Sequence, residues 1–264
     1  MRFALQDRLI GKSGYKDIFE EAGQLGYDGV EITHHGAPLT QEAADDIIVA
    51  SERSGVAASA VCGGYRHWIG DFNRDQRLEA VAGIAQSMEQ IKRIGAQGLI
   101  APAAFGIISR GVPLSRDAAG DQEALLDSLS RIAEKAEQIG VYLLLEPLNR
   151  YEDHMINRVE QAVSLIERTG SSRIKVMADF FHMNIEEADL TATIEQHYNH
   201  IGYFHLADSA RKEPGTGHTD FRQPFAKLQE LRYDGFLSLE CGLSGERSTS
   251  LAGALHYLKV SAQV

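Results

Sequence analysis

Eight short apolar runs, each followed by a longer amphipathic stretch, constrain this chain more than any single motif does. The runs are Arg2–Leu5, Gly29–Ile32, Ala57–Cys62, Gly98–Ala103, Val141–Leu145, Ile174–Ala178, Tyr203–Leu206 and Phe236–Leu239. Each has the length of a buried β-strand. The clearest helical patterns between them are Ala43–Arg53, Asp75–Ile94, Glu123–Ile139, Arg158–Arg168, Phe225–Leu231 and Ala252–Val260. Leu78, Val81, Ile84, Met88, Ile91 and Ile94 recur at spacings of three and four, which puts them on one helical face. Gly26, Gly55, Gly95, Gly140 and Gly235 each stand between a helical pattern and the next strand, as helix C-caps do. "LGYDGVEI" at 25–32 and "LRYDGFLSLE" at 231–240 repeat one helix-end, turn and strand order near the two ends of the chain.

Strands alternating with helices predict a parallel sheet. Eight such units in 264 residues predict an α/β fold, a (β/α)8 TIM barrel forming a single domain over 1–264. Hydrophobic content of 44% with 24% charge suits one well-filled core, and no Pro/Gly/Ser-rich linker divides the chain. A doubly wound open sheet is the alternative, but the first strand is not followed by a Gly-x-Gly-x-x-Gly turn.

Barrel active sites lie at the C-terminal ends of the strands. There the segment "LLLEPLNRYE" ends an apolar run in Glu146, a costly place for a carboxylate unless something compensates it. The next strand, "IKVMAD", ends in Asp179. "YFHLAD" carries His205, with Asp208 competing for the same position, and "FLSLEC" ends in Glu240. Four successive strands thus deliver three oxygen donors and one imidazole to one rim. That set suits Mn²⁺ or Mg²⁺, with Co²⁺ and Zn²⁺ as alternatives. Strands five and eight face each other across the mouth, so Glu146 and Glu240 flank a bound substrate. A cation between them stabilises the enediolate left when a proton beside a carbonyl is removed. The two glutamates then act as general base and acid. Protonation of the same carbon gives epimerisation, and protonation of its neighbour gives isomerisation.

Further candidates surround these four. His182, in the loop after strand six, is expected to contact substrate, as is Arg211 in "ARKEPGTGHTDF". Glu152 either binds sugar hydroxyls or pairs with Arg150. "CGGYRHWIGDF" carries Tyr65, His67 and Trp68, which form either an aromatic platform for a sugar face or buried packing against a helix. "PGTG" is a weak phosphate-cradle motif, and His34 and His35 read as surface residues.

Net charge of −11 and a pI near 5.4 oppose nucleic-acid binding. No apolar run reaches membrane-span length and no basic leader opens the sequence, so a soluble cytoplasmic protein is expected. Cys62 and Cys241 read as two buried free thiols.

"LLLEPLNRYEDHMIN", "MADFFHMNIEE", "YFHLADSARKEPGTGHTDF" and "GFLSLEC" together resemble the xylose-isomerase-like sugar isomerase/epimerase barrels, among them the D-tagatose and D-psicose 3-epimerases. "CGGYRHWIGDF" with "LEPLNRYEDHMIN" resembles most the 3-dehydro-guloside 4-epimerase subgroup, which acts on 3-keto-glycosides. The resemblance implies metal ligands at Glu146, Asp179, His205 and Glu240, and acid–base roles for Glu146 and Glu240. It also implies substrate contacts from Glu152, His182 and Arg211, Mn²⁺ as the usual metal, and a dimer or tetramer. "PAAFG" at 102–106 departs from the pattern, in a loop that bears on substrate identity. The competing function on the same chemistry is a 3-keto-glycoside lyase, the catalytic subunit of a C-glycoside deglycosidase with a small β-rich partner. A DNA-repair endonuclease would need several metals, more histidines and a basic groove. A non-catalytic sugar-binding barrel would need no pair of facing glutamates.

Overall fold

The eight apolar runs are eight parallel strands closed into a barrel in sequence order. They are β1 Arg2–Gln6, β2 Gly29–His34, β3 Ala57–Gly63, β4 Gly98–Pro102, β5 Tyr142–Glu146, β6 Ile174–Asp179, β7 Ile201–Leu206 and β8 Phe236–Leu239. β1 pairs with both β2 and β8, which closes the ring. A computed structural model describes residues 1–107 and 109–263. Outside the ring lie α1 Tyr15–Leu25, α2 Gln41–Ser54, α3 Arg74–Arg93, α4 Ala118–Ile139, α5 Val159–Thr169, α6 Phe180–Glu186, α7 Leu190–His197, α8 Arg222–Glu230 and α9 Arg247–Ser261. No helix among the described residues is long and apolar enough to cross a membrane.

Side chains on a strand alternate between its two faces. One face packs under the helices in a large apolar core that includes Leu143, Leu145, Val176 and Leu237. The other fills the barrel with a small cluster of strand residues: Ala4, Ala60, Ile100, Leu144, Met177, Tyr203 and Phe236. Gly29 sits against the Phe236 ring, where a Cβ would come within 2.7 Å of it. Counting two residues onward along the inward face, Leu144 leads to Glu146, Met177 to Asp179 and Tyr203 to His205. Phe236 leads through Ser238 to Glu240, whose N–H still donates to Leu206 at 3.1 Å. The period of two therefore stacks a polar layer directly on the apolar plug.

The departures from the sequence pattern have local causes. β1, β2, β5 and β6 run on into Gln6, His34, Glu146 and Asp179, because polar residues at the barrel mouth continue the ladder without an apolar signal. α2 and α4 begin earlier than their apolar stripes, where Thr40 and Asp117 side chains accept from the first-turn amides of Ala43 and Gly120. Gly26, Gly55 and Gly140 are left-handed C-caps as expected, but Gly235 is not. The chain leaves α8 through Arg232 at φ +57°, and Gly235 instead makes room for the Tyr233 ring.

Candidate active site

Glu146, Asp179, His205 and Glu240 each present one donor atom, and the four atoms lie within 4.8 Å of one another. His205 Nδ1 stands 3.2 Å from Glu240 Oε2 and 3.9 Å from both Glu146 Oε1 and Asp179 Oδ2. Asp179 has two roles. Its Oδ1 caps α6 by accepting from Phe181 N–H at 2.7 Å, and its Oδ2 faces the cluster. Two atoms of the cluster, Glu146 Oε1 and His205 Nδ1, are buried with no hydrogen-bond partner among the described residues. Buried polar atoms are ordinarily satisfied. Three carboxylates and an imidazole at this spacing form the donor set of a hard or borderline divalent cation, and the residues fit one.

The electrostatics agree with that fit. Burial first, then the charge of Glu240, pushes the Glu146 carboxyl well above the usual carboxylate range. Burial also acts upward on Glu240, but His205, Arg211 and the Gln6 amide outweigh it and hold that carboxyl below the usual range. For His205 burial acts downward, and the charges of Glu31 and Glu240 outweigh it, so the imidazole sits well above its ordinary value. A cation would relieve the crowding of like charge around Glu146.

A cavity of about 440 Å³ opens over the cluster. Glu146, Glu240, His182, Arg211 and Glu152 line it, together with Trp68, Phe105, His34 and His35. Trp68 meets Phe105 edge-on at 5.8 Å and Tyr65 at 6.4 Å. His182 is buried on α6 rather than exposed in a loop. Its Nδ1 accepts from the Asn149 N–H at 3.1 Å, so Nε2 carries the proton, 3.8 Å from Glu146 and from Asp179. Burial lowers its pKa, which favours that neutral donor. Glu152 accepts from Asn149 Nδ2 at 2.9 Å, and Arg150 pairs with Glu186 instead.

Arg211 Nη1 donates to Asp179 Oδ2 at 2.8 Å, Nη2 donates to Glu240, and the guanidinium lies over the Phe181 ring. Its backbone is left-handed at φ +55°, a conformation that a non-glycine residue keeps only when its surroundings impose it. The surroundings here are Asp208, which accepts from the amides of Ser209, Gly215 and Thr219 at 2.8, 2.9 and 3.0 Å. The anion cradled by the "PGTG" loop is thus the chain's own Asp208. His205 takes the seventh-strand position in the cluster, and Asp208 builds the loop that holds Arg211.

The family described as "Xylose isomerase-like TIM barrel" matches residues 19–259. The chain belongs to this family. It is 31% identical over 249 residues to the 3-dehydro-D-guloside 4-epimerase of Escherichia coli (strain K12), spanning 93% of this chain and 94% of that one. It is 26% identical over 231 residues to the D-psicose 3-epimerase of Ruminiclostridium cellulolyticum (strain H10), spanning 87% and 78%. The crystal structure of a 3-keto-D-glucoside 4-epimerase from E. coli superposes with a TM-score of 0.92 at 30% identity, covering 98% of this chain and 99% of that one.

Within this xylose isomerase-like barrel, some expected positions move. His67 does not line the cavity over the carboxylates. It faces Glu79 at 3.3 Å beside a neighbouring open groove. His34 and His35 line the cavity rather than the outer surface, and Cys62 reaches it too, while Cys241 is buried. Two polar residues of the inner layer carry no motif of their own, Gln6 and Glu31. They lie two positions beyond Ala4 and Gly29, and the same count of two finds them.

Proposed function

We propose that the protein is a metal-dependent epimerase, an isomerase acting on keto-sugars of the 3-keto-glycoside class. The observation that carries this is the convergence of Glu146 and Glu240, from strands on facing arcs of the barrel, with Asp179 and His205 in a buried cluster containing two unpartnered donor atoms. The names of the relatives that match over nearly the whole chain support this substrate class and an inversion at C4. These four side chains would hold a divalent cation, Mn²⁺ or Mg²⁺ by the donors and Mn²⁺ by the family resemblance, which when bound would supply Lewis-acid stabilisation of negative charge on the keto oxygen.

The remaining work falls to the chain. One of Glu146 and Glu240 takes the proton from the carbon beside the keto group, and the other returns a proton to the opposite face. Configuration inverts because the two carboxylates approach from opposite sides. His182 Nε2–H, the Arg211 guanidinium and Glu152 hold sugar hydroxyls and fix which carbon lies between the carboxylates. Trp68 and Phe105 cover the C–H face of the sugar and exclude water. We take residues 1–264 as one domain acting in the cytoplasm as a homodimer or homotetramer, a state that light scattering of the purified protein reads directly.

Glu146→Gln and Glu240→Gln should each lower turnover of a 3-keto-glycoside by about 10³-fold in a protein that remains folded, with reduced metal content. Unchanged turnover in both variants removes the acid–base assignment.

A further inference from the structure

Glu31 on β2 is fully buried, although its side chain is a carboxylate. Two donors compensate it: His205 Nε2 reaches Glu31 Oε2 at 2.8 Å, and Gln6 Nε2 reaches Glu31 Oε1 at 2.8 Å. The same Gln6 nitrogen reaches Glu240 Oε1 at 2.9 Å. The orientation of the Gln6 amide follows from its other end, where Oε1 accepts from Arg8 Nε at 2.5 Å. A guanidinium can only donate, so the amide nitrogen must face inward. A carboxylate only accepts, so the His205 nitrogen facing Glu31 carries a hydrogen. That leaves Nδ1, the atom without a partner, facing Glu146, Asp179 and Glu240.

We propose that Glu31 and Gln6 are positioning residues for the metal centre. Glu31 selects the Nε2–H form of His205 and fixes its ring plane, and Gln6 ties that pair to the Glu240 carboxylate. The bridge runs from β1 and β2 to β7 and β8, so half of the cluster is set by strands that contribute no ligand. A carboxylate behind a ligating histidine is a general means of orienting the ring and strengthening its donor nitrogen. This inference rests on the metal-dependent reading above, and its test does not require turnover.

The variants are Glu31→Gln and Gln6→Ala. Mn²⁺ affinity is read by chelator competition, and the His205 tautomer by ¹⁵N-histidine NMR of the metal-free protein at alkaline pH, where the ring is neutral. Glu31→Gln keeps the side-chain shape but offers either an oxygen or an NH₂ to Nε2. It should weaken Mn²⁺ binding 10- to 100-fold and replace the single Nε2–H pattern with a mixture. Gln6→Ala should weaken Mn²⁺ binding several-fold and leave the tautomer intact. Wild-type Mn²⁺ affinity and an unchanged His205 pattern in Glu31→Gln overturn the proposal, whatever the variant's melting temperature, because a purely structural ion pair changes stability alone. Should Glu31→Gln fail to fold, wild-type Mn²⁺ affinity in Gln6→Ala overturns it. A wild-type protein that binds Mn²⁺ through this bridge yet processes no keto-sugar counts against the epimerase reading and not against the bridge.

Discussion

Replacing Asp208 with Asn should loosen the loop that aims Arg211 at Asp179 and Glu240. Asp208 is buried, with Oδ1 accepting from Ser209 and Thr219 and Oδ2 accepting from Gly215. An amide that keeps its oxygen toward Ser209 and Thr219 must turn its NH₂ toward the Gly215 N–H, two donors facing each other. That unsatisfied contact costs about 2 kcal/mol, and loss of ionic character in the other two bonds costs roughly 0.5 kcal/mol each. The sum, about 3 kcal/mol, corresponds to a fall in Tm of roughly 6–12 °C for a chain of this size. The sign with pH follows from the carboxyl. Burial acts upward on Asp208, but the backbone N–H groups of Thr219, Ser209, Gly217 and Gly215 outweigh it and hold the group below the ordinary Asp value. A depressed carboxyl stabilises the fold above its unfolded-state value of about 3.9, and that contribution is lost as pH falls through the folded value. Differential scanning calorimetry should therefore show the full gap at pH 7 and a closing gap below about pH 4. KM for the sugar should rise about tenfold, the effect of one mispositioned charged donor. A Tm within a degree of wild type at pH 7, or a gap that widens in acid, refutes the assignment of Asp208 as the loop's anchor.

Trp68→Ala should raise KM about tenfold, whereas His67→Ala should change it less than twofold, because only Trp68 lines the cavity over the carboxylates. Steady-state kinetics of the pair check this, and equal effects contradict the placement. Leu144→Ala empties part of the barrel plug beneath Glu146 and should destabilise the fold by about 3 kcal/mol in urea unfolding. A loss below about 1 kcal/mol means the plug is not close-packed there.

The barrel was legible because each strand is buried on both faces and so reads as a nearly unbroken apolar run. Its limits were less legible for the same reason: Gln6, His34, Glu146 and Asp179 stay in the ladder while breaking the hydrophobic signal. The cluster was legible from three carboxylates and an imidazole at four successive strand ends. The choice of His205 over Asp208 needed the inward count from Tyr203. Glu31 and Gln6 were hidden because their partners come from strands 174 and 234 residues away in sequence. His182 was misplaced because "DFFHMNIEE" carries no apolar stripe, yet Asp179 caps it into a helix. His67 faces Glu79 rather than the cavity because loop direction depends on backbone turns that spacing does not encode, here φ +62° at His67.

The most direct test is proton exchange at the reacting carbon. Mn²⁺-loaded protein should convert a 3-keto-glycoside in D₂O to its 4-epimer with one solvent deuterium at C4, seen by loss of that ¹H signal and a one-unit mass gain. Epimer that accumulates with the original hydrogen still on C4 would contradict proton removal by Glu146 and Glu240.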